Sequence, residues 1–178
     1  DGVTADSVVS EVDNPDNSVT TGPHGLWELR LPRDPLVILN ATVPGHLDGR
    51  LYLNLSSPTQ GSRDDQHLTV LREEELLLFE QFLPIPHDPT RSQLFVWADS
   101  QTQGSSIGAE VTINNAHDGS FLLTGTEPIP TNELNDTTPL FFLNVEPGEV
   151  SVTVIMANGT SCEGPTLLAL EAAMISTA

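Results

Sequence analysis

The chain of 178 residues has no lysine, one cysteine and an aromatic content of only 5%. Six arginines oppose 25 acidic residues, so the formal net charge is −19. A surface with this charge repels the phosphate backbones of DNA and RNA, which excludes nucleic acids as partners. The same charge keeps the protein in solution and attracts divalent cations.

The single cysteine, Cys162, excludes an internal disulfide and any cysteine-rich zinc site. It is either a plain exposed thiol or, in an oxidising compartment, a candidate for a cross-link to a neighbouring chain. No run approaches the roughly 20 apolar residues of a membrane helix, so we expect no membrane span. The chain starts with neither a methionine nor a basic-then-apolar leader, as a mature exported chain would. Four Asn-x-Ser/Thr sequons also support export and are candidate glycosylation sites: Asn40, Asn54, Asn135 and Asn158.

The residues that are present indicate β-structure. The 13 glycines and 14 prolines suit short strands and turns better than long helices. In "FFLNVEPGEVSVTVIM" (141–156), apolar residues from Val150 to Met156 alternate with polar ones. This pattern predicts a hairpin of two strands joined by a Pro-Gly turn. Alternation predicts strands at 7–12, 26–31, 36–43, 50–56, 93–100, 107–114, 119–125, 140–145 and 149–157.

Three segments are less regular. The apolar spacing in "LTVLREEELLLFEQFL" (68–83) favours a helix, with a strand at 76–82 as the alternative. Residues 126–139 predict a loop. The tail 166–176 fits either a strand or a short helix.

The two halves share one order of turn glycine, strand, tight turn, strand and glycine turn, which indicates an internal duplication. In the second half, "GAEVTI" (108–113), "DGSFLL" (118–123) and "FLNVEPGEVSVTV" (142–154) resemble the carboxypeptidase regulatory-like family, a transthyretin-like β-sandwich. Residues 20–46 resemble the same pattern, with His24 in place of the usual Asp and His46 in place of the usual aromatic residue.

The resemblance implies an all-β fold of two small transthyretin-like or Ig-like β-sandwich modules joined by a short helical connector. It also implies a non-catalytic module of exported or surface proteins. We expect Phe121, Phe142 and Val152 to fill the space between the sheets. We expect Pro147-Gly148 to form the centre of a type II turn. The expected boundaries are 1–63 for the N-terminal module, 64–92 for the connector and 93–178 for the C-terminal module.

Catalytic motifs receive little support from their context. "GSSIG" (104–108) matches the Gly-x-Ser-x-Gly pattern around Ser106, but that motif needs a strand before it and a helix after it. Here a polar loop precedes the serine and a strand follows. The histidines lack the spacing of zinc peptidases, and most stand beside turn signals, so we expect them at the surface. They are His24, His46, His67, His87 and His117.

Two kinds of ligand have candidate residues. Trp27, Tyr52 and Trp97 suit either a carbohydrate platform or the core, and the alternation around both tryptophans favours the core. Acidic loops offer the oxygen ligands that calcium prefers, without EF-hand spacing, and a solvated turn is the alternative. The candidate calcium ligands are Asp13, Asp16, Asp64 and Asp65.

We therefore expect an exported, non-enzymatic structural or adhesive protein of the cell surface, forming a homo-oligomer or polymer by edge-strand pairing. A carbohydrate- or peptide-binding accessory module of an extracellular enzyme system is the alternative. Open sheet edges expose unpaired backbone groups, and this chain has no lysine to guard them. The tail 166–176 either pairs with a neighbouring chain or closes its own sheet.

Overall fold

Short strands account for most of the regular structure. The computed structural model describes residues 6–32, 36–53, 70, 72, 74, 81–83, 85–96, 106–124, 127–135, 138–161, 167–171 and 175–177. No helix in these ranges is both long enough and apolar enough to cross a membrane. The same ranges contain a 3-10 turn (Pro23–Gly25) and twelve strands: β1 (Val8–Glu11), β2 (Ser18–Thr20), β3 (Val37–Thr42), β4 (Gly49–Leu53), β5 (Ser92–Val96), β6 (Glu110–Ile113), β7 (Gly119–Thr124), β8 (Glu127–Pro130), β9 (Leu140–Val145), β10 (Gly148–Ile155), β11 (Leu167–Leu170) and β12 (Ile175–Thr177).

Nine strands form one large sheet in the order β2-β1-β3-β4-β12-β5-β9-β7-β8, and three form a small sheet in the order β11-β10-β6. The C-terminal strand β12 lies between β4 and β5 and runs parallel to both. The other pairings are antiparallel. A strand of three residues therefore joins the two halves of the chain into one sheet.

Apolar side chains cover both faces of the large sheet. On one face, Leu94 and Phe142 pack against the small sheet, and Tyr52 of β4 belongs to the same cluster. On the other face, Phe141 belongs to a second cluster, and Leu39 belongs to a third, under the first half of the chain. Neighbouring residues of a strand point to opposite faces, so adjacent Phe141 and Phe142 fill different clusters. The core, like the sheet, extends from one half of the chain to the other.

The all-β prediction is confirmed, and every predicted strand but one has a counterpart. Residues 26–31 form no strand, although Trp27 and Leu29 are half-buried against the core as their alternation predicts. Leu26 O accepts a hydrogen bond from Gly22 N, and Arg30 O accepts one from Asn17 Nδ2. These two bonds hold the segment beside β2 without a strand ladder.

The predicted hairpin at 141–156 is wrong. Strand β9 lies in the large sheet between β5 and β7, whereas β10 lies in the small sheet between β11 and β6. The Pro147-Gly148 connection therefore crosses from one sheet to the other, with Gly148 at a φ of 126°. Alternation correctly gave the faces, since Val150 and Val152 are buried while Thr153 is exposed. It carries no information about which strand lies alongside.

Other expectations need correction or lie outside the description. Phe142 and Val152 lie between the sheets as predicted, but Phe121 packs on the opposite face, because its cross-strand partner is Phe141. The predicted loop 126–139 contains the edge strand β8, and the tail 166–176 contains β11 and the start of β12. The predicted connector helix falls mostly on residues outside the described ranges.

The outer strand β8 of the large sheet is protected by proline. Thr131 N donates to Ser120 O of β7. Backbone groups alternate in direction along a strand, so the backbone nitrogens of Pro128 and Pro130 point away from β7. Proline has no N–H, so the outer edge of β8 lacks these two donors. This edge cannot support a regular ladder with another strand.

Both outer strands of the small sheet are also covered. Backbone bonds tie β6 to the segment before β9, with Val111 N donating to Asn132 O and Leu134 N donating to Ala109 O. At β11, Ala169 O accepts hydrogen bonds from side chains of β4. The chain therefore protects the outer strands β8, β6 and, at Ala169 O, β11 with proline, backbone and side chains of β4, although it has no lysine.

Removal of residues 175–178 is expected to lower the free energy of unfolding by on the order of 3 kcal/mol, because β4 and β5 both lose ladder bonds. Urea unfolding measured by tryptophan fluorescence and by circular dichroism tests this. The matched control removes Ala178 alone, which lies beyond β12. An unshifted, single transition in the shorter chain would contradict the joining role of β12.

Candidate functional site

A cluster of polar side chains lies where β12 enters the large sheet. We call this place the seam and define it by Arg50, Tyr52, Glu171 and Ser176. Arg50 and Tyr52 alternate on β4, so their side chains share one face. Ser176 is the cross-strand partner of Arg50, and Glu171 directly follows β11.

Side chains of β4 hold the end of β11 at the seam. Arg50 Nη1 donates to Ala169 O over 3.2 Å, and Arg50 Nη2 lies 2.9 Å from Glu171 Oε1. The Tyr52 hydroxyl donates to the same Ala169 carbonyl. The Arg50 side chain is 10% exposed whereas that of Glu171 is 64% exposed, so the arginine contributes the buried charge. A buried guanidinium is stable only when such partners replace water.

Burial raises the pKa of the Tyr52 hydroxyl above its ordinary value, because the phenolate would lose its hydration. Tyr52 is the only tyrosine in the chain, so its titration can be observed without interference from other tyrosines. The ultraviolet absorbance of Tyr52 therefore reports on the burial of the seam.

A second polar cluster lies at the other side of β5, and we call it the hub: Asn144, Gln93, Asp118, Arg91 and Asp88. Asn144 is buried with a φ of 54°, in the left-handed region that asparagine adopts more readily than most residues. Ser92 pairs with Val145 and Leu94 with Phe142, so two residues of β9 face one residue of β5. Asn144 is thus part of a β-bulge.

The Asn144 side chain joins three segments of chain. Its Nδ2 donates to Pro86 O and to Asp118 Oδ2, each over 2.9 Å, and its Oδ1 accepts from Asp88 N over 2.8 Å. Arg91 Nη1 donates to Asn144 O over 3.0 Å. The side chains of Gln93 and Asn144 also bond to each other. The bulge is therefore fixed by its side-chain partners.

Asp88 closes the turn that leads into β5. Its Oδ1 accepts from Thr90 Oγ1 over 2.6 Å and from Thr90 N over 2.8 Å. These hydrogen bonds to Thr90 lower the pKa of Asp88, because they favour the carboxylate over the acid.

The hub gives a structural role to one residue in each of two sequence motifs. Asn144 is the asparagine of "FLNVEPG" and Asp118 is the aspartate of "DGSF", and the structure bonds them to each other. Sequence reasoning used both motifs without assigning these residues a role. The signal was the asparagine inside an apolar strand, since a polar side chain there requires partners.

Within the described part of the chain, Ser106 and the histidines are not brought together. Ser106 is 1% exposed, and its Oγ donates to Asn135 O over 3.3 Å. Strand β6, not a helix, follows it. No group of three or more His, Cys, Asp or Glu side chains that could hold a metal ion occurs within the described ranges. The histidines described lie in turns and loops, two of them exposed and two half-buried: His24, His46, His87 and His117.

The calcium and carbohydrate ligand candidates that the structure describes lie on separate elements. Asp13 and Asp16 are exposed in the turn between β1 and β2. Tyr52 is 2% exposed and Trp27 is half-buried, so both side chains pack in the core and do not form an exposed carbohydrate platform. Several sequence candidates lie outside the described residues: Asn54, Asp64, Asp65, His67, Trp97 and Cys162.

Three described sequons differ in accessibility. Asn158 is exposed in the turn after β10, where its Oδ1 accepts from Thr160 N over 2.9 Å. Asn40 lies within β3, between β1 and β4, with its Oδ1 buried. Asn135 is half-buried, and its Oδ1 accepts from Thr138 N. Asn158 is the most accessible of these candidate glycosylation sites.

Comparisons with protein-family models, with curated proteins and with solved structures found no match. The likeness to carboxypeptidase regulatory-like modules is therefore carried by the quoted motifs alone and stays a prediction.

Substitution of Asn144 is expected to destabilise the protein in a graded order. Asn144→Gly keeps the left-handed backbone but loses the side-chain bonds, each worth about 0.5–1.5 kcal/mol. Asn144→Ala loses the same bonds and adds roughly 1–2 kcal/mol for a Cβ in the left-handed region. Thermal and urea unfolding should therefore rank wild type above glycine and glycine above alanine. Equal stability of the two variants would show that the backbone conformation at the bulge is not the constraint.

The absorbance of Tyr52 is expected to titrate above the ordinary tyrosine pKa of about 10 in the folded chain. In urea the same group should return to that value, since burial is lost. Folded-state stability should therefore be fully present below pH ~10 and fall as the pH rises through the folded pKa. A folded-state midpoint at the unfolded value would mean that the seam is open to water.

Proposed function

We propose that this protein is an exported, non-enzymatic structural or adhesive component of a cell surface, whose copies associate by strand pairing through β12. The observation that supports this is a C-terminal strand of three residues that completes a sheet by pairing on both sides. A strand that completes its own chain also fits the same slot in another copy. Exchange of such an element is a low-cost route to oligomers.

The guarded edges favour this route over simple edge addition. Prolines block β8, the segment before β9 covers β6, and β4 side chains occupy Ala169 O at the edge of β11. The slot between β4 and β5 is different, because both of its sides already accept a parallel strand. A second copy of the chain carries an identical β12 that could occupy this slot.

Charge opposes association and sets its conditions. A chain with a net charge of −19 repels its own copies, and salt screens that repulsion over about 10 Å at 0.1 M ionic strength. Association should therefore strengthen with sodium chloride or calcium. In this proposal the two duplicated halves act as one body, since β12 pairs with strands of both.

A non-enzymatic role is supported by the dispersal of reactive groups. The Ser106 hydroxyl is buried, and the described histidines lie in separate turns. The two polar clusters, the seam and the hub, bond to backbone carbonyls and to side chains within the same cluster. Such clusters rigidify a fold.

A carbohydrate- or peptide-binding accessory role is the second candidate, favoured by hydroxyl side chains on one face of the first half. Val8, Thr20 and Thr42 are cross-strand neighbours and all are exposed. Ser10 and Ser18 form the next row. Hydroxyls that both donate and accept suit a neutral glycan. Retention of the protein on a neutral polysaccharide, lost on Thr42→Glu, would favour this role.

Light scattering on the full chain is expected to show dimers or larger species that increase with protein concentration and with salt. The chain ending at Glu171 lacks the exchanged strand and should show no such specific increase. The chain lacking only Ala178 is the control and should behave as the full chain.

Two results would contradict association through β12. The first is a full chain that stays monomeric at high concentration in salt and calcium. The second is equal association of the chain that ends at Glu171, which would place the contact on another surface. Cell fractionation separately tests the surface location.

A further inference from the structure

Three buried polar atoms on neighbouring strands, two at the seam and one beside it, have no hydrogen-bond partner within the described part of the chain. They are Asn40 Oδ1 on β3, Arg50 Nε on β4 and Ser176 Oγ on β12. Asn40 is the cross-strand partner of Arg50, and Arg50 is the partner of Ser176. Cross-strand partners project from the same face of a sheet, so the three residues form one continuous row.

A dry row of this kind would be costly. Each buried polar group without a partner costs about 1–3 kcal/mol, and folded proteins satisfy roughly 90% or more of such groups. Arg50 cannot turn away to reach water, because its Nη1 and Nη2 are held by Ala169 O and Glu171 Oε1. Ser176 is fully buried in the strand that closes the sheet. The Tyr52 hydroxyl interacts with both Arg50 and Ser176, but its single proton is donated to Ala169 O, so it offers no donor to Asn40 Oδ1. A further partner inside the seam would satisfy Asn40 Oδ1 and Arg50 Nε.

The chemistry of the three atoms specifies the partner. Arg50 Nε–H is a donor, Asn40 Oδ1 is an acceptor, and the Ser176 hydroxyl is both. Neighbouring strands lie about 4.8 Å apart, and a bridging oxygen needs about 2.8 Å to each partner, so a molecule the size of water fits between neighbours. The positive charge of Arg50 is already balanced by Glu171, so the bound molecule is neutral.

We propose that the seam holds internal water, as one or two molecules that accept from Arg50 Nε–H, donate to Asn40 Oδ1 and bond the Ser176 hydroxyl. A buried water typically makes about three hydrogen bonds to groups that would otherwise have none, so one water can serve two neighbouring strands and a second is needed to reach from β3 to β12. Strand β12 therefore closes the large sheet over water at this row. The site does not depend on the proposed function, because it is a property of the single chain.

Nuclear magnetic resonance on the full wild-type chain tests this directly. The Arg50 Nε–H should show a cross peak to a long-lived water molecule. Relaxation dispersion of water oxygen-17 counts such molecules, and Ser176→Val should lose at least one of them. Ser92→Ala is the matched control, since Ser92 is an equally buried serine on neighbouring β5 and lies outside the row.

A water contact at Arg50 Nε–H, with a loss in Ser176→Val but not in Ser92→Ala, supports the site. An Arg50 Nε–H that contacts protein protons only, or an unchanged water count in Ser176→Val, would overturn it. If Ser176→Val does not fold, the measurement at Arg50 in the wild-type chain decides alone.

Discussion

Parallel pairing of β12 with both β4 and β5 is the constraint on which the rest of the structure depends. It brings the last residues of the chain against its first half, so that Arg50 and Glu171 pair across 121 positions of sequence. Closing a loop of this length costs chain entropy, and contacts of this separation make the fold strongly non-local. The large sheet and the main core both cross between the halves because this strand and Tyr52 bridge them.

The seam shows how a short parallel strand is held in place. Three residues supply few ladder bonds, and parallel pairing is slightly weaker per residue than antiparallel pairing. Arg50 and Tyr52 compensate by holding Ala169 and Glu171, just before β12 in the chain. The neutral pair of Arg50 and Glu171 also allows a charge to be buried in a protein whose surface is strongly acidic.

The hub fixes strands and turns of the second half by side-chain hydrogen bonds, as the seam fixes the junction between the two halves. Asn144 breaks the regular ladder between β5 and β9 and then binds Pro86, Asp88 and Asp118. A single side chain thus positions the turn before β5 and the turn before β7. The acidic surface and the polar clusters have different effects. Surface charge sets the repulsion between copies of the protein, whereas the buried hydrogen bonds set the rigidity of each copy.

The sequence by itself determined the all-β class, the positions of most strands and the face on which Val150, Val152 and Phe142 lie. These properties follow from period-two alternation, which is local and needs no partner strand. Only the tertiary structure decided that β9 and β10 lie in different sheets, that β12 enters the large sheet and that Arg50, Tyr52 and Glu171 meet. The same holds for Asn144 and Asp118, which were visible as motif residues but not as a bonded pair. Strand partners and polar clusters depend on contacts between distant parts of the chain, and the spacing of residues along a strand does not encode them.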